Sequence, residues 1–440
     1  MQAHFFGLCA GLDALLRGDE VYLASWRGED SDFVRFNHGL IRQSMHVKQG
    51  YFSLRLCQGK RHSVAETTMS GDTETDRARV RELLDELRAR LPLVPEDPYL
   101  LYNEVPSDST RVSEASPTPA PVVIDEILSA GKGLDLVGIL AIGGIVRGFA
   151  SSFGHRNWFR SFSHDFGWSL YRESDRAVRS SYADFAWNSD LFREKMAAAR
   201  EQLGHLATPS RTIDPGSYRA YLSPVALDEI LGTLAWGGFG LKDLRTRQSP
   251  LVRLSDGLEH LHPGVSLWEN AQDGSGPGFG DDGFLKPPKV PLIEHGLYAG
   301  SLISPRSAQE YGLENNGAGE EELPESLDMA GGSLARENVL EALGTGLYVN
   351  NLWYTNFSDR AAGRITGMTR YATFWVEHGR IVAPVRAMRF DESIYRLLGN
   401  RLLALTAERD LLLDSSTYEQ RSTASTRLPG VLVEDFVLTL

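Results

Sequence analysis

Two stretches near the C-terminal end decide how this chain is read. They are Gly346-Leu-Tyr-Val-Asn-Asn-Leu-Trp-Tyr-Thr355 and Arg364-Ile-Thr-Gly-Met-Thr-Arg-Tyr-Ala-Thr-Phe-Trp-Val-Glu-His-Gly-Arg-Ile-Val-Ala-Pro-Val385. Both are rich in β-branched and aromatic residues, the types that suit a pleated, half-buried surface. Phe374 to Val382 reads as a hairpin, with Glu377 to Arg380 at its turn. His378 then sits in an exposed turn rather than at a catalytic centre. Working outward, residues 213–440 read as a C-terminal β-rich domain, loop-rich at first. Its opening helix is signalled by Ser223 as N-cap and Pro224 at the first helical position. Leu227, Ile230, Leu231 and Leu234 supply that helix's buried stripe.

Residues 1–212 read as an N-terminal α+β domain. Met1 to Arg17 is expected to be a short amphipathic helix with Phe5, Leu8, Leu12 and Leu15 inward. Phe33-Val-Arg-Phe and Leu40-Ile-Arg-Gln flank Asn37-His-Gly, a hairpin signal. Phe52, Leu54 and Leu56 alternate with Ser53 and Arg55, which predicts a half-buried strand. Asp76 to Arg90 switches to helical period, with Val80, Leu83, Leu84 and Leu87 on one face. Residues 92–121, rich in Pro, Ser, Thr and Asp, are expected to form a long loop. Asp125 to Leu140 is expected to be helix, leading into a Gly-rich turn at Gly143 and Gly144. Phe149 to Trp187 should form a long antiparallel pair turning near Glu173 to Asp175, and Leu191 to His205 a helix. The connector between the domains is bracketed by Pro209 and Pro215. The acidic, glycine-containing stretch Glu314 to Glu325 is expected to be a mobile surface loop.

Composition narrows the function classes. The 440 residues are 42% apolar and 23% charged, enough for a sizeable core. A net charge of −13 argues against nucleic acid, whose phosphates need a basic surface. Cys9 and Cys57 are the only cysteines, so there is no disulfide framework. The most apolar stretch, Leu134 to Val146, is too short to cross a bilayer and ends at Arg147. We expect a soluble, cytoplasmic protein with no nucleic-acid or membrane partner. There is no Gly-x-Ser-x-Gly elbow and no phosphate-binding loop of the Walker type.

The C-terminal stretches resemble the signature of the TldD/PmbA family of two-subunit metallopeptidases. Phe279-Gly-Asp-Asp-Gly resembles the family's Phe-Asp-Asp-Glu-Gly turn, although Asp281 and Asp282 by themselves read as turn residues that bond nearby backbone N–H groups. Val290 to Leu302 resembles the strand-turn-strand that follows, Ser307-Ala-Gln-Glu-Tyr-Gly-Leu the family's Ser-Ala-Arg-Lys-Leu-Gly-Leu, and the Phe33 hairpin its opening. These pieces fall in the family's order along most of the chain.

The resemblance also exposes an absence. The metal-binding subunit of the family carries a His-Glu-x-x-x-His helix and a C-terminal cysteine as zinc ligands. A helical histidine pair must lie about one turn apart to share a metal. None of the 11 histidines here has another three, four or five residues away. Leu222 to Gly238, the corresponding segment by order, holds Asp228 and Glu229 but no histidine. Both cysteines precede residue 60. We therefore expect no catalytic or metal site in this chain, and zinc in a partner subunit. The residues nearest to a metal site are His260 and His262, which an extended strand would put on one face, and Glu229, more simply a solvated helix carboxylate.

The resemblance implies an α+β fold: an N-terminal antiparallel sheet with helices on one face, then a curved, barrel-like antiparallel β domain. It implies a non-catalytic subunit that pairs with a TldD-like metal-binding paralogue, or with itself, around a cavity that admits small or unfolded peptides. Two other functions remain open at this point. One is an active peptidase with an atypical metal site. The other is a non-enzymatic modulator of another complex, as the family's older label of gyrase modulator suggests.

Overall fold

The computed structural model describes residues 1–112, 118–173, 176–415 and 419–440. Seven strands build the first sheet: β1 (Val21–Asn37), β2 (Leu40–Gln58), β3 (Arg61–Thr68), β4 (Asp108–Val112), β5 (Asp135–Ser151), β6 (Arg156–Glu173) and β7 (Arg176–Asp184). Their order is β3-β2-β1-β5-β6-β4, and β7 also pairs with β6. The β1–β2 turn is His38-Gly39, both at positive φ (50° and 68°), the geometry whose twist matches a two-residue hairpin.

Four helices cover one face of this sheet. They are α1 (Gln2–Asp13), α2 (Thr73–Arg90), α3 (Ala120–Gly131) and α4 (Ser189–His205). Side chains on a strand alternate between faces. Tyr22, Ala24 and Trp26 of β1 and Val146 and Ala150 of β5 point to α1 and α2 and share a core with Phe5, Leu8, Leu84 and Leu87. Further along, Val34, Leu140, Phe166 and Trp168 point the same way and meet Ile127, Phe192 and Met196 of α3 and α4. Side chains cap two of these helices at their N-termini. Asp72 accepts from the Thr75 N–H at 2.9 Å, and Asn188 from Asp190 and Leu191.

One expectation fails here. Asp125 to Leu140 is not a single helix, and Gly143-Gly144 is not a turn. The helix ends at Gly131, and residues 135–151 run straight through the glycines as β5, between β1 and β6. A central strand covered on both faces reads as a continuous apolar run, which periodicity alone does not separate from a buried helix. The 92–121 loop is also interrupted, by β4 pairing parallel to β6 and by the start of α3. Its residues 113–117 lie outside the described residues. So does part of the expected turn at Glu173 to Asp175, namely 174–175, although Glu173 and Arg176 do pair across it.

After the connector comes an eleven-stranded sheet. Its strands are β8 (Gly216–Leu222), β9 (Leu267–Glu269), β10 (Val290–Glu294), β11 (Leu297–Tyr298), β12 (Ser326–Met329), β13 (Gly346–Asp359), β14 (Arg364–Glu377), β15 (Arg380–Pro384), β16 (Arg389–Ser393), β17 (Leu402–Leu413) and β18 (Ser425–Leu438). β8, β13, β14, β16 and β18 close into a ring, because β18 pairs with β8 on one side and with β16 on the other. Most pairings are antiparallel; β8–β13 and β12–β18 are parallel. Helix α5 (Pro224–Ala235) packs its Leu227, Ile230, Leu231 and Leu234 stripe into the core with Leu222, Leu347, Val349 and Val431. Ser223 caps it, accepting from the Ala226 N–H at 3.2 Å.

Candidate functional site

The same alternation that buries one face of the first sheet makes its other face polar. Ser25, Arg27, Glu29 and Ser31 of β1 lie beside Arg55 of β2, Arg147 of β5, and Ser161 and Ser163 of β6. C-terminal segments cover this face where helices do not. Between them lies a cavity of about 290 Å³, lined on the sheet side by Arg27, Arg55 and Arg147 and on the other by Asp281, Asp282, Lys286 and Glu325.

The charges in this chamber are mostly matched. Arg27 donates to both oxygens of Glu66, at 2.8 and 2.7 Å. Arg55 donates to Asp282, and Ser25 Oγ donates to Asp281 Oδ1 at 2.7 Å. Lys286 Nζ lies 2.9 Å from Glu325. Arg306 pairs with Asp97. The two aspartates thus do more than turn the chain. The backbone of the turn closes through the Gly283 N–H to the Gly280 carbonyl, while the carboxylates reach across to the first sheet. Arg147 is different. Its guanidinium donates to the Val146 carbonyl at 2.9 Å, and no ion pair includes it among the described residues. Burial, and then the neighbouring Arg27, pull its pKa down to about 10.

Next along the polar face, Arg421 enters from the C-terminal half and is buried. Its guanidinium donates to Ser163 Oγ at 2.6 Å, to Ser31 Oγ at 3.4 Å and to the Gly143 carbonyl at 3.2 Å. Glycine is required at 143, since a Cβ there would stand 2.3 Å from the Asp30 carbonyl oxygen. Burial raises the Asp165 carboxyl to about 6, against the pull of Arg421.

The metal-site candidates fall elsewhere. His260 and His262 lie on a loop rather than a strand, both exposed, with Leu261 buried between them. His262 Nδ1 already accepts from the Gly264 N–H at 3.0 Å. Glu229 lies on α5, half-buried, and burial followed by the adjacent Asp228 pushes it above the usual carboxylate range. Asp228 itself accepts from Thr426 Oγ1 at 2.7 Å. Among the described residues no three His, Cys, Asp or Glu side chains group so as to hold a metal ion. These residues do not fit a zinc centre, which needs about three converging ligands. Both cysteines are buried, and burial pushes the Cys57 thiol up to about 12. Ser151 Oγ and His155 Nδ1 are 2.6 Å apart, but both are buried and Gly283 packs against the imidazole, so the pair has no access to a substrate.

The loop Glu314 to Glu325 is not a free surface segment. Glu322 is buried and accepts from the Lys242 N–H, the Ser304 N–H and Ser304 Oγ, each at 2.9 Å. Asn316 donates to the Ser301 carbonyl and accepts from the Ile303 N–H. So anchored, residues 317–320 and 325 form part of the chamber wall.

Sequence reasoning missed the arginines of this site. For Arg27 alone a signal was available, in Ser25-Trp-Arg-Gly-Glu-Asp-Ser31, where charged and hydroxyl groups occupy alternate positions of a long strand. No helix in the described residues is long and apolar enough to cross a membrane.

Comparison with known proteins bears on the whole arrangement. Residues 215–439, more than half of the chain, match the family model of the PmbA/TldA metallopeptidase C-terminal domain. No curated protein matches the sequence significantly. Several solved structures share the fold, and three of them illustrate it. TldE from Thermococcus kodakarensis is 14% identical, with a TM-score of 0.81, covering 99% of this chain and 100% of that one. A Thermotoga maritima protein, provisionally named a modulator of a DNA gyrase, is 16% identical, with a TM-score of 0.78 and coverage of 99% and 100%. A similarly named protein from Bacteroides thetaiotaomicron is 14% identical, with a TM-score of 0.71 and coverage of 99% and 98%.

Proposed function

The chain belongs to the PmbA/TldD metallopeptidase family, and we propose that it is a non-catalytic subunit of a two-component peptidase acting on small or unfolded peptides. The observation that carries this reading is helix α5. Where the sequence resemblance calls for a histidine pair, α5 carries Asp228 and Glu229, and Asp228 is already held by Thr426. A carboxylate without histidine neighbours has no ligand set to complete, and a bound water there has no metal to activate it.

The role left to this subunit is to hold and shape. The chamber offers charged groups from the first sheet and from loops of the C-terminal half, and strand backbone at a sheet edge accepts extended chains of many sequences. A metal-bearing paralogue, in a heterodimer, supplies zinc; a homodimer is the alternative assembly. Two buried thiols without a disulfide suit a cytoplasmic setting.

The test mixes the purified chain with a His-Glu-x-x-x-His paralogue and follows breakdown of an unstructured peptide, with and without chelator. Breakdown should need both proteins and stop with chelator. Stoichiometric zinc in this chain alone, with activity lost on His260→Ala, would assign it an active site of its own. Complex formation without any peptide breakdown would favour a modulator role.

A further inference from the structure

Arg27 and Arg147 stand directly opposite each other across β1 and β5, on the chamber face of the sheet. Like charges in this cross-strand position repel and destabilise the pair. Arg27 is compensated by the bidentate Glu66 contact and lies over the Tyr51 ring at 5.7 Å. Among the described residues Arg147, half-buried at the chamber wall, hydrogen-bonds only to the neighbouring Val146 carbonyl. One guanidinium in the cavity therefore lacks a direct carboxylate contact, with most of its five donors free and Asp281, Glu325 and Glu29 acting on it only at longer range.

We infer that Arg147, backed by Arg27, is the docking point for a carboxylate of an extended peptide held in the chamber. The inference deepens the peptide-chamber reading and rests on it for the nature of the ligand. A planar carboxylate matches the guanidinium fork and supplies the direct contact it lacks. A phosphate dianion is a poorer match. Asp281, Asp282 and Glu325 already line the opposite wall, and a second negative charge meets their field. The carboxylate comes either from the chain terminus or from an Asp or Glu side chain. The recognising chemistry is the same.

The test measures binding to the full-length protein by fluorescence anisotropy. It uses one unstructured peptide as its free acid, as its C-terminal amide, and as the amide with one internal Glu. Loss of a charge-assisted contact at a half-buried site corresponds to roughly a tenfold change in affinity. The free acid should bind about that much more tightly than the plain amide, and Arg147→Gln should abolish the difference. Arg147→Lys should retain part of it and controls for folding. Recovery by the internal Glu identifies a side-chain source; no recovery identifies the terminus. Either result supports the site. Equal binding of acid and plain amide overturns the site and leaves the chamber reading intact. An N-acetylated dipeptide acid, read by thermal shift, separates the remaining case. Stabilisation that needs Arg147, without binding of any longer peptide, keeps the carboxylate site and removes the chamber reading. Absence of both effects, or tighter binding of inorganic phosphate than of the dipeptide acid, overturns the site.

Discussion

The guanidinium of Arg55, on the first sheet, donates to the carboxylate of Asp282, 227 residues further along the chain. With Ser25 and Asp281 beside it, this contact fastens the C-terminal turn onto the polar face of the sheet. Each partner is about a quarter exposed (23% and 25%), so solvent screens the pair only in part. Removing one member leaves the other poorly solvated.

Asp282→Asn should therefore lower stability by about 1–3 kcal/mol. Urea unfolding read by tryptophan fluorescence measures it. Arg55→Met combined with Asp282→Asn should cost less than the two single changes added together. Strict additivity would mean that the contact contributes nothing beyond its separate halves.

Gly143→Ala should be among the more damaging small substitutions in the chain. The added methyl meets the Asp30 carbonyl and Ser31, both backbone-held, and displaces the carbonyl that Arg421 uses. Overpacking of this kind costs about 1–3 kcal/mol. Gly167→Ala, on the neighbouring strand, has nothing within 4 Å of its Cβ and serves as the matched control. Similar melting temperatures for the two variants would contradict this account.

Glu269 should make stability depend on pH near neutrality. Burial raises its carboxyl from the usual 4.5 to about 7, despite the N–H groups of Ser326 and Glu325 that it accepts. Between those values the folded protein keeps a proton that the unfolded chain has released. The contribution is thus present in full below about pH 4.5, fades as pH rises, and is gone above about 7. Glu269→Gln cannot ionise and still offers a carbonyl oxygen to the backbone. Its melting temperature relative to the parent should be higher at pH 8 than at pH 5. A difference that does not change with pH would place the proton elsewhere.

The fold was legible wherever local chemistry and tertiary role agree. The His38-Gly39 hairpin, the Ser223 cap with Pro224, and the apolar stripe of α2 all speak through local rules, and each appears as read. Residues 135–151 do not read as a strand because both faces of β5 are covered, which erases the alternation that marks a half-buried strand. The site was less legible for a related reason. Arg27, Arg55, Arg147 and Arg421 acquire meaning only when β1, β2, β5 and the C-terminal segment meet, and no local pattern records that meeting. Asp281 and Asp282 were noticed, but as turn formers, because their partners lie more than 200 residues away.

Glu322 should control access to the chamber wall. It is buried at 3% exposure, with a left-handed backbone (φ 52°) that a non-glycine residue adopts only when neighbours hold it there. Three donors converge on its carboxylate, two of them at the start of the short helix Pro305–Tyr311. Glu322→Ala strands those donors and removes the tether between the loop and the body. The segment from 314 to 325 contains other glutamates and no lysine or arginine, so a glutamate-specific protease reports on it directly. Cleavage after Glu320 or Glu321 requires local opening, whose free energy the tether raises. With opening fast relative to cleavage, loss of about 1.4 kcal/mol of tethering speeds the cut roughly tenfold. Glu322→Gln, which keeps one acceptor oxygen, should fall between the parent and the alanine variant. Cleavage of the parent at the rate of Glu322→Ala would mean that the carboxylate does not hold the loop.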